Sequence, residues 1–159
     1  MTVEIERKFV LSEVPNPARL GEGEHLRQGY IADNGDVTVR IRIADSGAWL
    51  TVKAGSGLTR TEVELPLLLG QAEALWPRTE GRRVSKTRHR ITLGQREAPV
   101  AEVDVYDGDL VGLYTVEVEF STEQAALNFV PPAWFGREVT GQNEWTNAAL
   151  ARHGRPANS

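Results

Sequence analysis

Carboxylates recur in pairs two residues apart along this chain: Glu4 and Glu6, Glu62 and Glu64, Glu102 and Asp104, Glu117 and Glu119. Bases recur in the same manner, as Arg40 and Arg42 and as Lys86, Arg88 and Arg90, with single lysines at Lys8 and Lys53. A spacing of two puts side chains on one face of a β-strand but on nearly opposite sides of a helix, so these residues belong to strands. Like charges crowded on one face repel unless a counter-charge sits between them. A divalent cation answers the acids and a polyanion answers the bases, so the pattern points to a site that takes both.

The other face of each segment is apolar. Val3, Ile5 and Phe9 alternate with Glu4, Glu6 and Lys8, and Val39, Ile41 and Ile43 with the arginines. Val116, Val118 and Phe120 alternate with Glu117 and Glu119. Alternation of this kind predicts eight strands, near 3–10, 24–32, 36–43, 47–54, 59–66, 83–93, 99–106 and 113–120. Asp33-Asn34-Gly35-Asp36, Asp45-Ser46-Gly47 and Asp107-Gly108-Asp109 punctuate them as turns, and Gly55-Ser56-Gly57 reads as a hairpin loop and not as a phosphate cradle. Three segments break the period and read as helices. Leu67–Trp76 is stopped by Pro77, 121–130 is opened by Ser121 with Gln124 as its capping partner, and 143–152 has Gly154 beyond its end.

Composition narrows the function classes. A chain of 159 residues with 40% hydrophobic content forms one domain, here 1–154 with a disordered tail at 155–159. A net charge of -4 argues against nucleic acid as a partner. The chain has no cysteine, which removes disulfides, thiolate metal sites and cysteine nucleophiles and fits a reducing cytoplasm. Its three histidines are too scattered for a zinc site, and neither a signal-peptide pattern nor a membrane-length apolar run is evident. The expectation is a soluble cytoplasmic protein.

Eight antiparallel strands with one charged face each can close into a barrel in two ways. Either the charges face water around an apolar lumen, or they face inward and the apolar outside is covered by the three helical segments or by a second subunit, leaving a homodimer open. Buried ions cost several kcal/mol each when left dry, so a charged lumen must be wet or filled by cation and ligand.

In their order along the chain these motifs resemble the CYTH superfamily, the triphosphate tunnel metalloenzymes. EIERKF at 4–9 is similar to its Glu-x-Glu-x-Lys signature. LRQGYI (26–31), TVRIR (38–42), LTVK (50–53), TEVEL (61–65), EGRRVSKTR (80–88), EVDVY (102–106), VEVEF (116–120) and WFGREVTGQNEWTNAALA (134–151) follow in sequence. The resemblance is strongest to compact bacterial inorganic triphosphatases. It implies an eight-stranded antiparallel barrel, the triphosphate tunnel fold, with a charged lumen and helices outside. It implies metal ligation by Glu4, Glu6, Glu117 and Glu119, and substrate binding by Lys8, Arg40, Arg42, Lys53, Lys86 and Arg88, with Glu4, Glu6, Lys8 and Arg88 carrying the catalysis. Glu62, Glu64, Glu102 and Asp104 match acidic tunnel positions with a metal or water-orienting duty. Arg90 shares the charged face but matches no signature. The cofactor implied is Mg2+ or Mn2+, two ions, since both prefer oxygen ligands.

The implied reaction is hydrolysis of inorganic triphosphate. Thiamine or nucleoside triphosphatase activity differs only beyond the phosphates. Class IV adenylate cyclase activity would use the same metals, but His25-Leu26-Arg27 lacks the Phe of the cyclase-like His-Phe-Arg signature. A non-catalytic polyphosphate-binding module would keep the bases and tend to lose the metal carboxylates, all four of which are present.

Overall fold

Alternation of charged and apolar side chains builds the molecule from the first strand onward. The computed structural model describes residues 2–95 and 98–157; Asn158 and Ser159 of the expected tail lie outside the described residues. Eight long strands follow in order: β1 (Thr2–Val10), β2 (Gly23–Asp33), β3 (Val37–Ala44), β4 (Gly47–Ala54), β5 (Thr59–Leu67), β6 (Arg83–Thr92), β7 (Val100–Tyr106) and β8 (Tyr114–Glu119). All neighbours are antiparallel, in the order β5-β4-β3-β2-β6-β7-β8-β1, and β1 also pairs with β5, which closes the barrel.

The barrel is built with its core outside. Ile5 and Phe9 of β1, Ala101 and Val103 of β7, and Val116 and Val118 of β8 are buried against Leu11, Leu20, Phe120, Ala126 and Phe135 beyond the wall. Helix α1 (Pro17–Leu20) supplies Leu20 and α3 (Glu123–Asn128) supplies Ala126. Helix α2 (Leu69–Leu75) covers Ile41, Ile43 and Ala48 on the opposite side. It continues through Pro77 as a 3-10 turn, Trp76–Thr79, because proline is tolerated in a first turn where its missing N–H costs no bond. Arg7 is the exception on the apolar side of β1. It bonds both carboxylate oxygens of Glu138 at 2.7 Å and the carbonyls of Ala126 and Phe129, tying α3 to the wall.

Three details depart from the sequence expectation. The N-cap of α3 is Thr122, whose hydroxyl accepts from the Ala125 amide, while Gln124 bonds Asn128; Ser121 does not cap it. The last helical segment splits into a 3-10 turn at Asn143–Trp145 and α4 (Asn147–His153), because Thr146 caps the helix there. A ninth strand, β9 (Arg137–Glu138), takes over the edge of β1 that β5 leaves, pairing with Phe9 and Val10. Gly136 allows this approach: a Cβ there would lie 1.9 Å from the Val10 carbonyl oxygen.

Candidate active site

The paired acids and bases follow strand parity into the lumen. Glu4, Glu6 and Lys8 face inward, and with Arg40, Arg42, Lys53, Glu62, Glu64, Arg88, Glu102, Glu117 and Glu119 they line a cavity of about 370 Å³. Lys86 and Asp104 lie beneath them, fully buried. The charged faces therefore point in, and the apolar-lumen alternative is excluded by Val116 and Val118, which are packed outside the barrel.

One end of the lumen is not charged. Val10, Val84, Tyr106 and Leu113 continue the inward parity of their strands and pack with Val139, Trp145 and Leu150 into an apolar plug. The segment from Val139 to His153 covers this end. Gly141 lies against the Gly57 loop, and Arg152 donates to the Asp33 carbonyl. Asn147 accepts from the Tyr106 hydroxyl at 2.6 Å and lies 3.5 Å from the Lys86 ammonium. The opposite rim carries Arg90, 56% exposed, which pairs with Glu102 and Glu24 and is a rim residue.

Above the plug lies an ionic frame. Lys8 meets Glu117 at 3.0 Å. Arg88 grips Asp104 through two bonds of 2.7 Å, meets Glu117 at 2.9 Å, and also pairs with Glu102. Lys86 meets Asp104 at 2.5 Å. Burial opposes ionisation of Glu117, but Lys8 and Arg88 outweigh it and hold the carboxyl well below the usual range. Burial instead prevails at Lys86, pulling its ammonium down to about 8, because Asp104 is shared with Arg88 and the neighbouring cations add to the cost.

The remaining groups are under-compensated, and they sort by sign. Arg40 is buried, and its Nε has no hydrogen-bond partner; the Nε of Arg42 is likewise unpaired. The carboxylate nearest Arg42 is Glu64, at 3.8 Å. Burial, then Arg40 and Arg88, lower the Arg42 guanidinium to about 10. Gln28 on β2, opposite Arg42 in register, also has both amide atoms buried and unpaired. Buried polar groups without partners are expensive, so this wall is built for a ligand that accepts hydrogen bonds and carries negative charge.

The acidic wall shows the converse. Burial raises the Glu6 carboxyl, and Glu117 and Glu4 raise it further. Burial also raises Glu119, helped by Glu4 and Glu102. Lys53 holds both oxygens of Glu4, at 2.7 and 2.8 Å, and reaches Glu62 at 3.1 Å. No three His, Cys, Asp or Glu side chains among the described residues form a ready cage for an ion. Glu4, Glu6 and Glu117 are engaged by lysine or arginine instead. The donor set of carboxylate oxygens, with residual repulsion at Glu6 and Glu119, fits a hard divalent cation.

Sequence reasoning missed Arg60. It sits on β5 directly opposite Glu4, shares the inward parity of Glu62 and Glu64, and donates to Glu6 at 2.5 Å and Glu4 at 3.3 Å. The available signal was that parity. Tyr30 and Thr51 also face the lumen or bond within it, Thr51 donating to Glu64.

A closed antiparallel barrel of eight strands, lined inside by carboxylates, guanidiniums and ammoniums, is the triphosphate tunnel fold. No protein-family model matches the chain. It is 44% identical over 151 residues to an inorganic triphosphatase of Nitrosomonas europaea, covering 93% of this chain and 96% of the relative. It is 37% identical to an inorganic triphosphatase of Acetivibrio thermocellus, covering 96% of each. The crystal structure of an inorganic triphosphatase superposes with a TM-score of 0.68 at 41% identity, again covering 96% of each chain. The chain belongs to the inorganic triphosphatase family.

Proposed function

We infer that this protein hydrolyses inorganic triphosphate to pyrophosphate and phosphate with the help of a divalent cation, Mg2+ or Mn2+, as two ions. The observation that carries this reading is the pairing of two unmet needs in one cavity. Arg40 and Arg42 are buried without full compensation, and across from them Glu6 and Glu119 are acids raised by burial and then by neighbouring carboxylates. A chain of phosphates bound with a divalent cation satisfies both.

Glu4, Glu6, Glu117 and Glu119 are the residues that would hold the cation. When bound, it supplies charge neutralisation at phosphate oxygens and a more acidic water. Arg40 and Arg42 stand two residues apart on one face, about 6–7 Å along the strand, so their planar forks can engage neighbouring phosphates of an extended chain. Lys8, Lys53, Lys86 and Arg88 add positive charge around phosphoryl oxygens as charge shifts in the transition state. Glu62, Glu64 and Glu102 orient these bases and the attacking water, and Asp104 holds Arg88 and Lys86 from beneath. The working unit is a single domain spanning 1–154. No described helix is long and apolar enough to cross a membrane. The cysteine-free, acidic chain suits the cytoplasm and a small-molecule substrate rather than nucleic acid.

Phosphate release from inorganic triphosphate, ATP and thiamine triphosphate, each with Mg2+, Mn2+ or EDTA, tests the reading. Turnover of inorganic triphosphate at least about tenfold above the other two, abolished by EDTA, is expected. Faster turnover of ATP, or formation of cyclic AMP from it, would overturn the assignment.

A further inference from the structure

Arg60 differs from the other lumen cations in its partners. Lys8 and Arg88 are 9% and 7% exposed and are anchored on the buried frame around Glu117. Lys53 divides itself between Glu4 and Glu62. Arg60 is 18% exposed, and its ion pairs among the described residues go only to Glu4 and Glu6, both candidate cation ligands. It stands at the start of β5, just beyond a loop in which Gly55 and Gly57 adopt φ of +91° and +86°.

We propose that Arg60 is a displaceable counter-ion: its guanidinium neutralises Glu4 and Glu6 in the cation-free tunnel and must leave them before a divalent cation can bind. This rests on the reading that Glu4 and Glu6 ligate the cation. The geometry supplies the reason. Both carboxylates that Arg60 contacts are ones that would hold a cation, and two positive centres held on the same carboxylates would repel strongly where little water screens them. The charge of Arg60 therefore sets the affinity for the cation. Exchange of one positive charge for two, with the guanidinium still tethered nearby, also leaves the tunnel more positive and readier for a polyanion.

The test is Mn2+ titration of the full chain without substrate, by calorimetry and by the rise in melting temperature. Native protein, Arg60→Gln, Arg60→Lys, Glu6→Gln and the Arg60→Gln/Glu6→Gln double variant are compared. Arg60→Gln should bind Mn2+ about tenfold more tightly than native and show the larger Mn2+-dependent rise in melting temperature, by linkage of binding to folding. Arg60→Lys, which keeps the charge, should stay within about threefold of native. The double variant should lose the gain. Unchanged or weaker Mn2+ binding in Arg60→Gln overturns the proposal while leaving the cation site intact, provided that Glu6→Gln weakens binding. Binding that is indifferent to Glu6→Gln instead overturns the reading of Glu4 and Glu6 as ligands, and the proposal with it.

Discussion

Two groups of ion pairs share the lumen and are made of the same residue types, yet they differ in kind. Around Glu117 and Asp104 the side chains are 0–11% exposed and each carboxylate has at least two cationic partners. Around Glu4 and Glu6 they are 13–18% exposed, and the bases meet the acids from one side of the barrel, on β4 and β5. Buried pairs whose breakage strands a charge are permanent fixtures. Pairs that keep some access to the open cavity are the ones an entering cation can reach and exchange. The first group is the fixed part of the tunnel wall and the second is its exchangeable part.

The largest effect should come from breaking the frame. Glu117→Gln leaves Lys8 and Arg88 buried without a full counter-charge, so it should cost about 3 kcal/mol of stability and lower the melting temperature by about 6–12 °C, besides abolishing turnover. A variant that melts like the native protein would erase the distinction. Glu6→Gln belongs to the other group: its carboxyl is already raised by burial and by Glu117 and Glu4, so the melting temperature should stay within about 2 °C. Its kcat/KM for triphosphate should fall at least about a hundredfold, or about 2.7 kcal/mol.

The same raised carboxyl makes protons compete with the cation. Lowering the pH should therefore raise the Mg2+ concentration needed for half-maximal rate, and Glu6→Gln should flatten that dependence in its residual activity. Arg42→Ala should reduce kcat/KM at least about tenfold, with the melting temperature held or raised, since it removes a cation that burial and Arg40 already destabilise. Arg90→Ala should change kcat/KM by less than about twofold, because that side chain stands in solvent at the rim.

Much of this was legible in the residues because one signal carried both fold and site. Period-two alternation located all eight barrel strands with ends shifted by at most one residue, and parity put the paired acids and bases on the inner face, Lys86 and Asp104 buried beneath the cavity that the others line. The direction of that face did not follow from alternation alone, which is symmetric between inside and outside; the ordered motifs decided it. Arg60 lay inside the expected strand 59–66 but escaped because it is a lone base ahead of two acids, with no like charge two residues away to pair it with. The neutral lumen residues Gln28, Tyr30 and Thr51 carry no charge to count. Strand β9 has two residues and no pattern of its own; only the edge of β1 left free beyond β5 calls it into being. The apolar plug was hidden because Val10, Val84 and Leu113 sit at strand ends, where an inward valine or leucine looks like any core residue.

Closure of the barrel by β1 has a bearing on how the chain comes to be folded at all. Glu6 pairs with Glu119, so the first strand made must wait for the eighth, roughly a hundred residues later. At about 5–20 residues per second, that leaves β1 without its β8 neighbour on the ribosome for several seconds or more. An unpaired, wholly apolar strand would be a template for aggregation during that interval, whereas charges spaced along an edge discourage pairing with another chain. Glu4, Glu6 and Lys8 are the charges that would discourage such pairing along β1 before there is any tunnel for them to line.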